Sequence, residues 1–210
     1  MRTVAIIPAA GSGKRLGSRD KKPFVLLGGI PLLAHVLKAL DNSKDIDAII
    51  VASHPACVAR VMGVAKRCGI RKLMRVVVGG KTRFESVRNC IARTESSFDI
   101  VLIHDAARPF VDKRVIAKSI RTAARYGACV ACVPESDTMK LVDPKAICIR
   151  KTLPRSVIYR AQTPQTFRYD IIKKAYARKP AGGITDDAAL VEAMGQVVRI
   201  VKGSYRNLKI

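Results

Sequence analysis

The chain has 210 residues, of which 49% are hydrophobic and 26% charged, the composition of a globular protein with room for one domain. No apolar run approaches the ~20 residues of a membrane-spanning helix, and the short run after Arg2 leads into a glycine-rich loop, so we expect a first strand rather than a signal peptide, and a cytoplasmic protein. The formal net charge of +23 favours anionic ligands, either nucleic acid or phosphorylated small molecules.

Apolar runs with strand character alternate with amphipathic helical patterns over the first 134 residues. The predicted strands lie, in chain order, in TVAIIPAA, DAIIVAS, LMRVVVGG, DIVLIHDAARPF and ACVACVPE. The predicted helices between them cover residues 31–42, 56–68, 82–94 and 112–126, and the third opens with a capping box of Thr82 and Glu85. This order predicts an α/β fold, a mostly parallel twisted sheet with helices on both faces, and an active site at the carboxyl ends of the strands.

The alternation stops at residues 136–157, where Asp143-Pro144-Lys145 predicts a turn between two short extended runs. A two-stranded hairpin is marginal in water, so this protruding β-arm must pack on something, and a second copy of the chain is the simplest candidate. After it we expect an extended run, VIYRAQTPQTF, two helices over residues 169–178 and 185–195, and a last run, QVVRIVKG. Residues 1–210 are therefore expected to form a single domain that carries the arm.

Six cysteines are present, at positions 57, 68, 90, 129, 132 and 148. Cys129 and Cys132 have C-x-x-C spacing but lie in a predicted strand, where residues i and i+3 point to opposite faces. No second pair and no neighbouring histidine completes a zinc site. We therefore expect all six cysteines to be buried, reduced thiols.

The loop after the first strand, PAAGSGKRLG, combines small residues with basic side chains. It lacks the spacing of a Walker P-loop, and its glycines give G-x-G-x-x-x-G, which differs from the dinucleotide-binding fingerprint. Four basic residues lie within positions 14–22, namely Lys14, Arg15, Lys21 and Lys22. Bare backbone amides beside mobile cations are typical of a triphosphate-binding loop, and a simple tight turn is the alternative.

Asp105 and Arg108 follow the predicted strand at DIVLIH, where α/β enzymes keep catalytic groups. Asp105 is either a helix cap or turn former, or a ligand for Mg²⁺ or a ribose hydroxyl. The three histidines are scattered and no serine or cysteine lies in a recognisable nucleophile motif. These features suit attack by a phosphate monoester on the α-phosphorus of a nucleotide, because that nucleophile is already an anion and the enzyme needs only to align and neutralise charge.

Eight motifs occur in order along essentially the whole chain: PAAGSGKRLG, KKPF, VGGKTRFESV, IHDAARPF, PESDTMK, RAQTPQTF, TDDAALVE and VKGSYRNLKI. Together they resemble the 2-C-methyl-D-erythritol 4-phosphate cytidylyltransferase family of the non-mevalonate isoprenoid pathway. The resemblance implies a Rossmann-like nucleotidyltransferase fold, a homodimer with a swapped β-arm, and transfer of CMP from CTP to methylerythritol phosphate with release of pyrophosphate. It also implies Mg²⁺, or another divalent cation, as cofactor.

Carried onto the matching positions, the resemblance implies three groups of site residues. Those expected to bind CTP are Pro8, Ala9, Ala10, Gly11, Ser12, Gly13, Gly79, Gly80, Arg83, Ser86, Asp105 and Ala106, with Asp105 also at the metal. Those expected to act in catalysis are Arg15, Lys22, Lys209 and, from the arm toward the partner subunit's substrate phosphate, Arg155. Those expected to line the methylerythritol phosphate site are Arg108, Thr138, Arg155, Thr163, Thr185 and Asp186.

Several alternatives use the same features. The ribitol 5-phosphate cytidylyltransferases share the expected fold and reaction, although ESV and HDAARP favour the methylerythritol branch, and a nucleotidyltransferase for another base is a wider alternative. A basic RNA-binding protein would also explain the charge, but 5% aromatic residues and no nucleic-acid motif argue against it, so neither nucleic acid nor membrane is expected as a partner. Thr82 and Ser86 could serve only their helix, and Thr185 could equally cap TDDAALVE.

Overall fold

A seven-stranded β-sheet forms the centre of the structure, a computed structural model that describes residues 1–11, 21–178 and 185–210. The strands are β1 (Thr3–Ala9), β2 (Leu26–Leu27), β3 (Ile30–Pro31), β4 (Ala48–Ser53), β5 (Leu73–Val78), β6 (Ile100–Ile103), β7 (Ala128–Pro134), β8 (Lys140–Asp143), β9 (Cys148–Thr152), β10 (Tyr159–Arg168) and β11 (Arg199–Lys202). The helices are α1 (Leu32–Asp41), α2 (Val58–Arg67), α3 (Arg83–Ile91), α4 (Lys113–Tyr126), α5 (Tyr169–Ala177) and α6 (Asp187–Glu192). None of the described helices is long and apolar enough to cross a membrane.

The strands of the main sheet lie in the order β11-β7-β10-β6-β1-β4-β5. β1 runs parallel to β4 and β6, β4 is parallel to β5, and β7 is parallel to β11. β10 is inserted between β6 and β7 and runs antiparallel to both. The predicted mostly parallel sheet is therefore confirmed, with one reversed strand that the local sequence pattern did not predict.

Successive residues of β1 pack on opposite faces of the sheet, so the two faces have separate cores. Ile7 belongs to a cluster with Leu37 of α1 and Val61 of α2, which also includes apolar residues of α4. Ile6 belongs to a second cluster with Val87 of α3, together with apolar residues of α5 and α6. Helices therefore cover both faces of the sheet, as predicted, since the strands present apolar side chains on both faces.

Helix α3 begins with the predicted capping box. The Thr82 hydroxyl accepts a hydrogen bond from the Glu85 N–H at 3.1 Å, and the Glu85 carboxylate accepts one from the Thr82 N–H at 3.2 Å. Helix α4 begins in a related way, since Asp112 accepts a hydrogen bond from the Arg114 N–H at 2.6 Å, and it is capped after Tyr126 by Gly127, where φ is +93°. Side-chain caps satisfy N–H groups that the first helical turn leaves unpaired, which accounts for both starts.

The helix predicted over residues 185–195 is shorter than expected, because α6 begins at Asp187 and ends at Glu192. Its N-cap is Asp186, whose carboxylate accepts a hydrogen bond from the Ala189 N–H at 3.0 Å. The interpretation of Thr185 as the cap is therefore wrong. The helix begins one residue later than that cap would require, and the aspartate takes the position.

The cysteines are free thiols. Cys129 and Cys132 belong to the cores on opposite faces of the sheet, as the strand periodicity predicts. The prediction that all six are buried is wrong at two positions, since Cys68 is half-buried at the end of α2 and Cys148 is exposed. Cys148 is exposed because it begins β9, a strand that lies outside the main sheet.

Strands β8 and β9 form the predicted arm, and they pair with each other in a separate two-stranded sheet. The Asp143 carboxylate accepts a hydrogen bond from the Lys145 N–H at 2.9 Å, which stabilises the predicted turn. Val142 and Ile149 are cross-strand neighbours, and both side chains are exposed. Association of the arm with a second chain stays a prediction, and the exposed apolar pair is consistent with it.

Candidate active site

The described start of the first predicted CTP-binding loop, at the carboxyl end of β1, lies beside the second loop, at the carboxyl end of β5. A Cβ atom built on Gly79 would overlap the side chain of Ala10 and lie 2.9 Å from the Ser86 hydroxyl, so only glycine permits this approach. The Gly79 N–H also donates to the Ser53 carbonyl at 2.8 Å, which anchors the second loop to β4. The other predicted members of the first loop, Ser12, Gly13 and Arg15, lie outside the described residues.

Ser86 holds the turn before α3 in place. Its hydroxyl donates to the Thr82 carbonyl at 2.8 Å and accepts from the Gly80 N–H at 3.2 Å, and the side chain is buried. Glu85 secures the same turn by accepting from the Lys81 N–H at 2.6 Å. Direct recognition of cytosine by Ser86 stays a prediction, because in this structure the hydroxyl already has a donor and an acceptor within the protein.

Asp105 is the buried carboxylate at the centre of the site. Its Oδ2 accepts a hydrogen bond from Lys209 Nζ at 2.6 Å, its Oδ1 accepts one from Arg83 Nε at 3.3 Å, and Arg108 Nε lies 3.9 Å from Oδ2. Burial by itself would raise the pKa of Asp105, but the charges of Arg83 and Lys209 outweigh it and lower the pKa to about 2. Asp105 is therefore ionised over the whole physiological range of pH.

Arg83 is also paired with a second carboxylate, that of Asp187. Its Nη1 and Nη2 donate to the two Asp187 oxygens at 2.8 and 2.6 Å, and the Tyr176 hydroxyl donates to Asp187 Oδ1 at 2.5 Å. Burial opposes the charge of the guanidinium, yet the carboxylates of Asp187 and Asp105 raise the pKa of Arg83 above its ordinary value. All three nitrogens of Arg83 thus face carboxylates, and its predicted contact with CTP stays a prediction.

His104 and Thr163 orient the backbone at Asp105. His104 Nε2 lies 3.0 Å from the Arg108 carbonyl and must donate to it, so Nδ1 accepts from the Thr163 hydroxyl at 2.9 Å. The same hydroxyl accepts the Asp105 N–H at 3.1 Å. Burial lowers the pKa of His104 to about 4, which keeps the ring neutral. His104 makes no hydrogen bond to the Asp105 carboxylate, because both of its ring nitrogens are engaged elsewhere.

The carboxyl-terminal residues cross the same end of the sheet and bring Lys209 to Asp105. The Asn207 side-chain amide donates to the Thr163 carbonyl at 2.7 Å, and the Asn207 carbonyl accepts from Arg108 Nη1 at 2.6 Å. The Ile210 N–H donates to the Ala107 carbonyl at 2.9 Å. A cavity of about 460 Å³ opens beside this segment, lined in part by Arg108, Gln162 and Lys209.

The remaining predicted residues lie apart from this cluster or serve local structure. Arg155 Nη1 donates to the Ser136 carbonyl at 3.1 Å, and Arg155 and Thr138 are both exposed near the arm. Lys22 begins a short 3-10 helix. Thr185 is exposed, and Asp186 accepts from Gln165 Nε2 at 2.8 Å as well as capping α6. Pro8 and Ala9 close β1, and Ala106 is buried next to Asp105.

Asp105 fits the protein's share of a Mg²⁺ site when most of the ligands come from a nucleotide. Mg²⁺ in such sites is commonly held by one or two carboxylates together with substrate phosphates and water. Over residues 1–11, 21–178 and 185–210 the structure has no cluster of three metal-binding side chains. A single ionised carboxylate is the protein's share of a site in which the nucleotide supplies most of the ligands.

A family model described as IspD, 2-C-methyl-D-erythritol 4-phosphate cytidylyltransferase, matches residues 3–210. The chain belongs to this family. Proteins of that name from Geotalea uraniireducens and Pelotomaculum thermopropionicum are 42% and 39% identical to it, over 100% of this chain and 91% and 89% of theirs. The eight sequence motifs therefore identified the family correctly.

Solved structures support the same conclusion about the fold. The 4-diphosphocytidyl-2C-methyl-D-erythritol synthase of Anaerococcus prevotii superposes with a TM-score of 0.86 at 28% identity, covering 100% of this chain and 90% of that one. The 2-C-methyl-D-erythritol 4-phosphate cytidylyltransferase of Thermus thermophilus gives 0.77 at 32% identity, covering 100% and 93%. The predicted nucleotidyltransferase fold, an α/β sheet with helices on both faces, is confirmed.

Three residues of this cytidylyltransferase site were not singled out from the sequence. Asp187 pairs with Arg83, Gln165 accepts the N–H groups of Asp187 and Ala188 at 3.0 Å each, and His104 supports Thr163. Asp187 and Gln165 lie within motifs of the family, TDDAALVE and RAQTPQTF, so the signal was present in the sequence. What was missing was the information on which member of each motif turns toward the site.

Proposed function

We propose that this chain transfers CMP from CTP to 2-C-methyl-D-erythritol 4-phosphate, with Mg²⁺ as cofactor and as a homodimer. The observation that carries the proposal is the ionised carboxylate of Asp105, held among Arg83, Arg108 and Lys209. Such a site offers cations for the phosphates of two anionic substrates and one hard oxygen ligand for a divalent metal.

The reaction requires little proton transfer by the protein. A phosphate oxygen of methylerythritol phosphate attacks the α-phosphorus of CTP, a P–O bond forms there, and the bond to the leaving pyrophosphate breaks. Because the attacking oxygen is already an anion, no general base is needed, which agrees with a buried His104 whose two ring nitrogens are both engaged. Lys209, Lys22 and Arg15 are proposed to neutralise the charge that develops on the phosphates.

Asp105 is proposed to hold Mg²⁺ together with the triphosphate oxygens. When bound, the metal supplies positive charge that polarises the phosphates and orients the leaving group. The low pKa of Asp105 keeps the carboxylate ionised at neutral pH, the charge state that a metal ligand requires. Ala9, Ala10 and Gly79 are proposed to present backbone groups to the nucleotide, since small residues let the chain approach it closely.

The cavity beside Lys209 is the proposed place of methylerythritol phosphate. Within the described part of the chain Arg108 Nε is buried without a hydrogen-bond partner, and a phosphate in the cavity would satisfy such a donor. Thr163, Thr185 and Asp186 are proposed to lie around the same substrate. Arg155 is proposed to act on the phosphate bound by the partner subunit, because it lies at the foot of the exposed arm.

The test is pyrophosphate release from CTP with methylerythritol phosphate or ribitol 5-phosphate as acceptor, each with Mg²⁺ and after chelation by EDTA. Release with methylerythritol phosphate and Mg²⁺ alone is the expected result. Release with ribitol 5-phosphate would move the chain to the related cytidylyltransferases. Unchanged release after chelation would remove the metal from the proposal.

The role of Lys209 leads to a first prediction. Lys209→Ala removes the cation nearest to Asp105 Oδ2 and is expected to lower kcat by about 100-fold, because transition-state charge is then left uncompensated. Lys202→Ala, an exposed lysine on β11, is the matched control and is expected to keep the kcat of the unmodified chain. Equal kcat values for the two variants would rule out the proposed role of Lys209.

A further inference from the structure

Asp187 is a buried carboxylate on a firmly held backbone. Its side chain is fully buried and accepts three hydrogen bonds, two from Arg83 and one from Tyr176. Its N–H and that of Ala188 donate to Gln165 Oε1 on β10, and α6 begins at this point. Because its backbone is tied to the central sheet, Asp187 acts as a fixed reference and cannot follow Arg83 if that side chain moves.

Arg83 joins two carboxylates that lie on different parts of the chain. Its guanidinium is planar, so once Nη1 and Nη2 are both bound to Asp187 the direction of Nε is set as well. That direction leads to Asp105 Oδ1, at 3.3 Å. Asp105 Oδ2 is left to Lys209, which lies 2.6 Å away.

Loss of the Asp187 charge would change this division. Arg83 would be freed from its bidentate partner, and Asp105 is the other carboxylate that it contacts. A guanidinium binds a carboxylate best through two parallel N–H groups, so Arg83 would turn its Nη pair toward Asp105. Arg83 and Lys209 would then compete for the same two oxygens, and Lys209 would lose its place.

We propose that Asp187 is a positioning residue for the cytidylyl transfer, acting through Arg83 on Asp105 and Lys209. The proposal rests on the proposed function of the site. It extends that function to a residue which touches neither substrate. A purely structural role is the competing explanation, because Asp187 also links α3, α5 and α6, and breaking a buried ion pair lowers stability in any position.

The test compares Asp187→Asn with Asp41→Asn, a matched control. Asp41 is also a buried aspartate and accepts two backbone N–H groups, from Arg71 and Lys72, at 2.9 and 2.8 Å. It lies at the end of α1, beside the amino-terminal end of β5. The site lies at the carboxyl ends of the strands, so Asp41 is at the opposite end of the sheet. Both variants are expected to have a lower free energy of unfolding. A difference in kcat between them therefore reports the positioning of Arg83 rather than a loss of folding.

Asp187→Asn is expected to lower kcat by about 10- to 100-fold while the KM for CTP changes by less, and Asp41→Asn is expected to leave both close to those of the unmodified chain. In an Arg83→Ala background the Asp187→Asn change is expected to have no further effect on kcat, because its only route is through Arg83. A folded Asp187→Asn enzyme with unchanged kcat, or additive effects in the double variant, would overturn the proposal.

Two further measurements complete the test, the first independent of the Asp187→Asn variant and the second independent of activity. Arg83→Lys keeps a cation beside Asp187 but lacks the planar fork, and it is expected to lose kcat to a similar extent, whereas full kcat would contradict the proposal even if Asp187→Asn did not fold. In ¹⁵N spectra of arginine side chains, the Arg83 Nε–H should be protected from solvent exchange in the unmodified chain and in Asp41→Asn, and unprotected in Asp187→Asn. Unaltered protection in Asp187→Asn would refute positioning whatever the activity of the chain. Loss of protection in that variant, together with no cytidylyl transfer by the unmodified chain, would contradict the proposed function alone.

Discussion

His104 illustrates how a buried side chain that takes no part in the chemistry can hold a catalytic one. Its ring is completely buried and neutral, and it gives the Thr163 hydroxyl an acceptor. Thr163 can then use its oxygen to accept the N–H of Asp105. A protonated ring would have no acceptor at Nδ1 and would break this chain of hydrogen bonds.

The protonation of His104 predicts a dependence of stability on pH. Burial lowers its pKa to about 4 in the folded chain, against an ordinary value of about 6.5 in the unfolded chain. Below pH 6.5 the unfolded chain binds a proton that the folded chain rejects, so the free energy of unfolding should fall by about 3 kcal/mol between pH 6.5 and pH 4. Urea denaturation across this range, with EDTA present, measures the slope.

The control for this prediction is a second histidine. His104→Asn should be less stable at neutral pH and should lose most of the slope between pH 6.5 and pH 4. His54→Asn, at a half-buried position before a short 3-10 helix, should retain the slope of the unmodified chain. An unaltered slope in His104→Asn would assign the pH dependence to other groups.

Individual residues also mark the limit of what could be predicted from the sequence. Asp105, Arg83 and Lys209 stood in separate motifs and were each expected at the site, but their mutual contacts could not be predicted, because pairs such as Asp105 and Lys209 are 104 positions apart. Asp186 was expected at the substrate, whereas its neighbour Asp187 is the one that pairs with Arg83. Which of two adjacent carboxylates turns inward depends on where the helix begins, and a shift of one residue exchanges them.

At the scale of elements, periodicity and capping predicted most of the structure. The start of α3 followed from the predicted capping box at Thr82, although α3 ends at Ile91 rather than at residue 94, and the helix predicted over residues 112–126 agrees with α4. The direction of β10 did not follow, because an antiparallel strand between β6 and β7 is a property of chain connectivity rather than of its own residues. The register of β10 against β7 shifts between Ala161 and Gln165, and Thr163 of the site lies within this irregular stretch.

Strand β7 and helix α3 lead to a prediction about thiol reactivity. Burial raises the pKa of Cys90 and Cys129 to about 12 and that of Cys132 to about 11, so these thiols are both inaccessible and protonated. Ellman's reagent should therefore label Cys148 in the folded protein and these three only after denaturation. Cys148→Ser is the control and should remove the contribution of Cys148 from the fast phase, leaving only that of the half-buried Cys68. Fast labelling of Cys129 would contradict the packing of β7.

At the scale of the whole molecule, the arm is the feature that the single chain does not explain. Val142 and Ile149 expose apolar surface on a hairpin that stands apart from the main sheet, and 62% of Ile149 is accessible. Water-exposed apolar pairs of this kind are common at interfaces between chains. The proposed homodimer gives the arm a place to pack, and it also brings Arg155 to a second active site.

The arm predicts a defined change in oligomeric state. Val142→Lys combined with Ile149→Glu keeps a favourable cross-strand pair but removes the apolar surface, so sedimentation should show a dimer for the unmodified chain and a monomer for the double variant. Lys151→Ala on the same strand is the control and should remain dimeric. Circular dichroism should be unchanged in both, because the arm contributes nothing to the cores. A dimeric double variant would place the interface elsewhere.

A mixture of Arg155→Ala and Lys22→Ala chains extends this test to the site itself. If each arm serves its partner, a mixed dimer should contain one intact site and regain part of the activity that either variant lacks alone. No recovery after confirmed subunit exchange would contradict the proposed sharing.

The site is assembled from parts that are far apart along the chain, and this governs when it can form. Arg83 meets Asp187, and Asp105 meets Lys209, each across 104 positions. Every strand of the main sheet precedes Lys209 in the chain, since the last of them, β11, ends at Lys202. During synthesis from the amino terminus, all residues of the sheet are therefore made before Lys209, and the site cannot be complete until that lysine has been added.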